Sequence, residues 1–188
     1  MTDEAFWQVI GRAVEQPGDS VERAEWVAEE LTRLPVAQIA EFHRRLVAAR
    51  VHADTWAVRA ATRVIFDGYR TDDTYWAFRL WLLILGRETF ERVVAAPDTL
   101  ADVAELRALA NVPMSEWADA DWPEWSSIED AAPQAHLEVT GQEWVTDEAN
   151  EDNTDEEWDV ADTPARLPRL SALFADRGNR GTGEVRSG

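Results

Sequence analysis

The sequence predicts an all-α protein: a compact multi-helix domain around a central apolar helix, with an acidic, partly disordered C-terminal tail. Three observations predict this fold class. Apolar residues recur at helical spacing through the first 110 residues. The segment after Thr71 is apolar on nearly every side, which is typical of a helix that other helices surround. Residues 143–162 then contain ten acids and no arginine, a composition typical of solvated, disordered chain.

The 188 residues divide into four predicted parts. They are a helical domain (1–142), an acidic linker or tail (143–163), a short docking helix (164–176) and a disordered end (177–188). The length suits one domain with an appendage. The helix at 164–176 is expected to dock because its apolar residues have helical spacing. These residues are Leu167, Leu170, Leu173 and Phe174.

Four amphipathic helices are predicted before residue 70. Ser20 and Thr55 are candidate N-caps, and Pro35 fits a first helical position. Pro17-Gly18 and Gly68 are candidate helix ends. The residues predicted to face the core are Phe6, Ile10 and Ala13; Val21, Ala24, Val27, Leu31 and Leu34; Ile39, Phe42 and Leu46; and Trp56, Ala60, Val64 and Ile65.

The central helix is predicted over Thr71–Leu85. Its first residue can cap it, and Asp72 and Asp73 follow where the helix dipole favours acids. Arg79 lies in the middle of this apolar segment, and a buried guanidinium needs a partner. Two interpretations remain open: Arg79 pairs with an acid from another helix, or it lines a pocket and binds an anion.

Shorter elements are predicted after Gly86. Pro97-Asp98 interrupts the helical spacing, and Asp98 can cap the helix that follows. A later helix is predicted to begin at Ser126 or Ser127 and to stop at Gly141. Between them lies a loop with three indoles as anchors, Trp117, Trp122 and Trp125.

The formal net charge of −19 is concentrated in the second part of the chain. The balance is −5 up to Ala110 and −14 from Asn111 onward. Such a field repels nucleic acid phosphates and anionic membranes, so neither is a predicted partner unless the acids imitate phosphates. A basic protein partner, or a loosely bound divalent cation, fits the charge better.

The sequence also predicts a cytoplasmic protein. There is no cysteine, so no disulfide points to secretion. The N-terminus MTDEAFW is acidic where a signal peptide would be basic. The longest apolar run, Leu80–Leu85, is far shorter than the roughly 20 residues that span a bilayer.

No catalytic residue, metal or cofactor is predicted. The chain contains no HExxH, no GxSxG and no glycine-rich phosphate loop. The segment DEANEDNTDEEW, from Asp147, lacks the glycine and the final glutamate of an EF-hand. His52 and Asp54 suggest an acid–base dyad at a helix end, and a surface histidine near a C-terminus is the simpler interpretation.

Two groups of residues are candidate binding sites. One is a polar cluster beside the central helix, which either binds a ligand or only caps the helix and forms a salt bridge. The other combines indoles with acids, so that aromatic groups supply affinity and charge steers a basic partner. For Trp158, docking onto its own domain is the competing interpretation. The first group is Arg70, Asp72, Asp73 and Arg79; the second is Trp144, Asp155, Glu156, Glu157, Trp158 and Asp159.

The order of several landmarks resembles the actinobacterial domain-of-unknown-function family numbered 4240. The resemblance covers roughly residues 1–143, with a further likeness in RLPRLSALF near the C-terminus. It implies a helical fold and no activity, because none is established for that family. Members often carry Gly-Gly-Cys before the Asp-Asp, whereas this chain has Asp67-Gly68-Tyr69-Arg70, so no role of that thiol carries over. The matching landmarks are Phe6-Trp7, Asp72-Asp73, Phe78-Arg79, Trp81-Leu82, Gly86, Phe90, the Pro97–Leu100 turn and AHLEVTG near Gly141.

The leading functional hypothesis is a non-enzymatic interaction or regulatory protein. Its acidic tail would bind a basic protein partner, or cover the domain's own surface until that partner arrives. The alternative is an enzyme or small-ligand-binding protein with its site at the start of the central helix. The sequence does not indicate an oligomeric state.

Overall fold

The computed structural model describes residues 1–68, 71–144 and 158–175. These residues form ten α-helices and six short 3-10 segments, without a β-strand among them, so the predicted all-α class is confirmed. The helices are α1 Asp3–Val14, α2 Ser20–Thr32, α3 Val36–His52, α4 Trp56–Ile65, α5 Asp72–Trp81, α6 Arg87–Ala95, α7 Ala104–Leu109, α8 Ala131–Thr140, α9 Thr163–Arg166 and α10 Pro168–Phe174. The 3-10 segments are Leu82–Leu85, Pro97–Asp102, Met114–Glu116, Asp119–Asp121, Ser126–Asp130 and Val160–Asp162.

The starts of α2 and α3 differ by one residue from the prediction. Asp19, not Ser20, caps α2, because its carboxylate accepts hydrogen bonds from the N–H groups of Val21 and Glu22. Glu22 in turn accepts from the Asp19 N–H at 2.9 Å, which completes a capping box. Pro35 precedes α3 instead of opening it. Neither change moves a residue from one helix face to another.

The predicted central helix is shorter than expected. It begins as predicted, with Thr71 as its N-cap, but the α-helix ends at Trp81. Leu82–Leu85 continues it as a 3-10 segment that stops at Gly86, whose φ of +77° lies in the region that glycine tolerates best. The segment predicted to be central is nevertheless buried in the core. Six residues of α5 are buried, Tyr75, Ala77, Phe78, Arg79, Leu80 and Trp81.

One hydrophobic core joins helices α1 to α8 and α10. Phe6 and Phe42 meet with ring centroids 5.2 Å apart, and Phe66 meets Phe78 edge-on at 6.1 Å. The loop indoles extend this core as predicted: Trp125 is buried, and Trp117 packs edge-on against Phe66 at 6.0 Å.

The C-terminal segment docks as two short helices, not the predicted single one. Pro168 ends α9 because its ring cannot continue a helix, and α10 then packs against α4 and the Pro97–Asp102 segment. The carboxylate of Asp98 accepts hydrogen bonds from the backbone N–H groups of Arg169 at 3.0 Å and Leu170 at 2.9 Å. Asp98 was predicted to cap the helix that follows it. It caps α10 instead, 71 residues later.

The acidic segment itself lies mostly outside the described residues. The undescribed ranges are 69–70, 145–157 and 176–188, so the predicted disorder of the tail and of residues 177–188 stays a prediction. No helix in the described part of the chain is both long and apolar enough to cross a membrane.

Candidate functional site

The polar cluster predicted at the start of the central helix is divided by the fold. Asp72 and Asp73 are exposed in the first turn of α5, and Arg70 lies outside the described residues. Arg79 comes two turns later, about 10 Å further along the helix axis than Asp72. Its side chain points into the protein interior, where only 2% of its surface is exposed.

Arg79 pairs with an internal acid, as the first of the two interpretations predicts. Its Nη1 atom lies 3.3 Å from Oδ2 of Asp54 and donates a hydrogen bond to the carbonyl of Arg50 at 3.4 Å. Asp54 belongs to the short connection between α3 and α4, not to a helix. Its side chain is 5% exposed, so both charges of this pair are removed from water.

Asp54 is shared by several donors. Tyr75 donates its hydroxyl at 2.8 Å, and Arg59 lies 3.3 Å away through Nη2. The guanidinium groups of Arg59 and Arg79 both lie over the Tyr75 ring, 4.3 and 4.5 Å from its centroid. Burial, and then the charge of Asp54, raise the pKa of Tyr75 above its usual value of 10.0, so its hydroxyl remains a donor at physiological pH.

A second acid–arginine pair lies beside the first, and the guanidinium of Arg79 is 5.5 Å from the Trp76 ring of this second group. Arg50 is 4% exposed, and its guanidinium carbon lies 3.3 Å from the centroid of a Trp76 ring. Its Nη1 atom is 3.4 Å from Oε1 of Glu129, and the indole N–H of Trp76 donates to the same carboxylate. These contacts join α3, α5 and the Ser126–Asp130 segment.

We call Arg50, Asp54, Arg59, Tyr75, Trp76, Arg79 and Glu129 the arginine cluster. It connects α3, α4, α5 and the segment before α8, which are the elements around the centre of the fold. Arg79 has almost no accessible surface with which to hold a ligand. We therefore interpret the cluster as a packing device of the core and not as the binding site of a small anion.

The two indoles that flank the acidic segment are half-buried against the domain. Trp144 packs between two histidines, with ring centroids 4.9 Å from His136 and 5.4 Å from His43. Trp158 packs beside α4, and the guanidinium of Arg166 lies 4.5 Å from its ring centroid. This packing of Trp158 is what the competing interpretation predicts, namely that the indole docks onto its own domain.

The acids of the second candidate group are only partly described. Asp155, Glu156 and Glu157 lie outside the described residues. Asp159 is exposed, and its carboxylate accepts a hydrogen bond from the Ala161 N–H at 2.9 Å. The two residues that flank the undescribed range 145–157, Trp144 and Trp158, therefore both contact the domain.

The suggested dyad of His52 and Asp54 has different partners in the structure. The exposed His52 lies with Nε2 3.3 Å from Oε2 of Glu91, which is the surface position that the simpler interpretation predicts. Asp54 pairs with Arg59 and Arg79 in the arginine cluster. Across residues 1–68, 71–144 and 158–175, the acids and histidines form no group of three or more that could hold a metal ion.

Comparison with known proteins identifies the family. The profile described as "Protein of unknown function (DUF4240)" matches residues 1–137. The chain belongs to the DUF4240 family. This confirms the family predicted from the sequence landmarks, over a slightly shorter range than the resemblance suggested. Neither a search of curated proteins nor a search of solved structures found a match.

The boundary of the DUF4240 match separates the two candidate groups. The arginine cluster lies entirely within residues 1–137. Trp144, the acidic segment and the docked helices α9 and α10 all lie beyond it. The packing device thus belongs to the family domain, whereas the acidic segment is an addition to the matched region.

His43, whose ring contacts Trp144, gives the stability of the protein a predicted pH dependence. Burial, and then the positive charge of Arg50, lower the pKa of His43 below its ordinary 6.5. The unfolded chain therefore binds this proton more readily than the folded protein does. The stability that neutral His43 contributes is complete above pH 6.5 and falls as the pH drops from 6.5 towards the lowered pKa. Since His43 is only half-buried, solvent screens part of the effect.

The measurement is the free energy of urea unfolding at pH 7.5, 6.5 and 5.5, for the DUF4240 protein and its His43→Gln variant. We expect the unmodified protein to lose more stability than the variant between pH 6.5 and 5.5, and the two to run parallel above pH 6.5. Identical pH dependence throughout would show that His43 has the same pKa in both states.

Proposed function

We propose that this protein is a cytoplasmic, non-enzymatic interaction module whose acidic segment, residues 145–157, binds a basic protein partner. The observation that carries the proposal is the pair of indole anchors, Trp144 and Trp158, which attach both ends of this segment to the domain. The segment contains seven acids and no basic residue.

The contacts of Trp144 and Trp158 with the domain favour binding because they reduce the conformational entropy that the acidic segment loses when a partner binds. A free acidic tail must be ordered when a partner binds, and this ordering reduces affinity. Fixing the two flanking residues, Trp144 and Trp158, on the domain lowers this ordering cost, because part of the loop closure precedes binding. Its charge also accelerates the encounter with a basic surface, an effect that salt weakens because it is electrostatic.

The charge of the domain favours an external partner over self-coverage. The chain up to Ala110 already has a balance of −5, so its net charge does not attract the acidic segment. Among the described residues, Trp144 contacts two histidine rings, and the guanidinium of Arg166 lies over the Trp158 ring. The opposite charge that the segment requires is better supplied by another molecule.

The test uses a labelled nona-arginine peptide and fluorescence anisotropy at low and moderate salt. One variant has the seven acids of residues 145–157 changed to asparagine or glutamine. A matched control loses seven exposed acids elsewhere, so that its net charge is the same. The control positions are Glu15, Glu25, Glu29, Glu88, Glu105, Glu116 and Glu138.

We expect the segment variant to bind at least about tenfold more weakly than the matched control, which corresponds to about 1.4 kcal/mol. The binding of the unmodified protein should weaken as salt rises. Equal losses in both variants would mean that only net charge matters, and the proposal would then be wrong.

A further inference from the structure

A second surface of the domain combines indoles with acids. A groove of about 440 Å³ lies between the start of α2 and residues 119–125. Its apolar lining includes Trp81, Trp122 and Ile84. The acidic side chains of Asp119 and Glu124 line it from exposed positions.

An adjoining groove continues this surface towards the start of α5. It has a volume of about 560 Å³ and is lined by Asp73, Trp76 and Ser126. Glu124 lines both grooves, so they meet at this side chain. We call the two grooves together the α2–α5 groove.

The walls of the α2–α5 groove are tied to one another. Trp125, which is 1% exposed, donates its indole N–H to the carbonyl of Ser20 at 2.8 Å. The Ser127 hydroxyl donates to the same carbonyl at 3.0 Å, and the Trp125 backbone N–H donates to the carbonyl of Ala77 at 3.2 Å. These bonds connect the loop to α2 and α5, so a ligand would meet a preformed surface.

The chemistry of the lining selects a cationic ligand with an apolar stem. Carboxylates attract a guanidinium, and the half-buried indole of Trp122 can accept both its charge and its methylene groups. The lining contains one cation, Arg23, and its Nε atom donates to the carbonyl of Gln16 at 3.2 Å. Asp19 also lines the groove, but its carboxylate is used as the cap of α2.

We propose that the α2–α5 groove binds an arginine-containing stretch of the basic partner. The inference rests on the proposed function for the basic character of the partner, but it uses different residues, all within the DUF4240 match. The net charge of a ligand decides which of two possible ligands fits the α2–α5 groove. A second copy of this chain would bring a net charge of −19 to an acidic surface, whereas an arginine-rich peptide complements it.

The experiment uses an acetylated Arg-Gly-Arg-Gly-Arg amide, which is too short to span distant surfaces. The groove variant is D119N/E124Q. The charge-matched control is E105Q/E138Q, which changes two exposed acids elsewhere. Affinity is measured by isothermal titration calorimetry, and two-dimensional NMR records the indole N–H signals of assigned tryptophans. Circular dichroism checks that each variant is folded.

We expect the groove variant to bind the peptide about tenfold more weakly, the control to change less than about twofold, and the Trp122 signal to shift on titration. Equal affinity of groove variant and control, or no binding by the unmodified protein, would overturn the inference. So would self-association of the protein that the peptide does not disrupt.

The segment variant described above separates the two proposals. If it keeps its affinity for the short peptide while the groove variant loses it, the groove inference stands without the segment proposal. If only the segment variant loses affinity, the segment proposal stands and the groove inference is wrong. Losses in both variants support both.

Discussion

Replacing Asp54 with asparagine is expected to lower the free energy of unfolding by about 3 kcal/mol or more, because this acid balances the buried Arg79 and the partly buried Arg59. Asp54 lies 3.3 Å from both Arg59 and Arg79 and accepts the Tyr75 hydroxyl at 2.8 Å. Asparagine preserves the size of the side chain but removes the charge. Arg79, which is 2% exposed, would then carry a buried charge with no carboxylate at this position. Urea unfolding followed by circular dichroism measures the loss.

The Asp73→Asn variant is the matched control. It makes the same chemical change at an exposed position in the first turn of α5, where an acid contributes only about 0.3–1 kcal/mol through the helix dipole. A second variant tests the mechanism. Adding Arg79→Met to Asp54→Asn should restore part of the stability, since it removes the uncompensated charge. Similar losses in D54N and D73N would contradict the role assigned to the arginine cluster.

The helical architecture could be predicted because the signals that specify it are local. Apolar spacing gave the buried faces of α1 and α3, and the cap at Thr71 was found from its type and position. Val21 was wrongly predicted to face the core: it lies in the first turn of α2 and is 50% exposed. The end of the central helix was predicted wrongly for a physical reason. Leu82–Leu85 is apolar on every side, so its pattern does not distinguish an α-helix from a 3-10 segment.

The need of Arg79 for a partner could be predicted, but the partner could not. Asp54 is 25 residues away in sequence, and only the packing of α4 against α5 brings it within 3.3 Å. Arg50 was missed although the sequence contains a usable signal. The buried stripe of α3 runs through Phe42 and Leu46, and the next position at helical spacing is Arg50. An arginine at a core position of one helix and another in the middle of a second helix together indicate a buried polar cluster between the helices.

The prediction for Asp98 was wrong for the same reason: its partner is distant in sequence. A short acidic side chain after a proline signals a cap, but the signal does not say which helix is capped. The local helix begins at Ala104, whereas the carboxylate of Asp98 bonds the N–H groups at the start of α10. Long-range contacts of this kind are decided by tertiary packing, which a local pattern does not encode.

Replacing Trp125 with alanine is expected to destabilise the protein by about 3–5 kcal/mol, the usual cost of removing a large aromatic side chain from a core. Trp125 is 1% exposed and lies 105 residues from Ser20, to whose carbonyl its indole N–H donates. It therefore connects the loop before α8 to the start of α2. The same change should remove the binding of the short arginine peptide, since Trp125 holds one wall of the α2–α5 groove. Urea unfolding and titration calorimetry measure the two effects.

Two variants separate the contributions of Trp125. Trp125→Phe keeps an aromatic ring but loses the indole donor, so part of its cost, about 0.5–1.5 kcal/mol, comes from one lost hydrogen bond to the Ser20 carbonyl, which keeps the Ser127 hydroxyl as a donor. Trp26→Ala makes the same deletion on α2, where the ring is half-buried beneath the guanidinium of Arg12 at 5.1 Å. A smaller loss is expected there, because less apolar surface returns to water. If W26A costs as much as W125A, burial does not decide the effect and Trp125 is not the anchor of the groove wall.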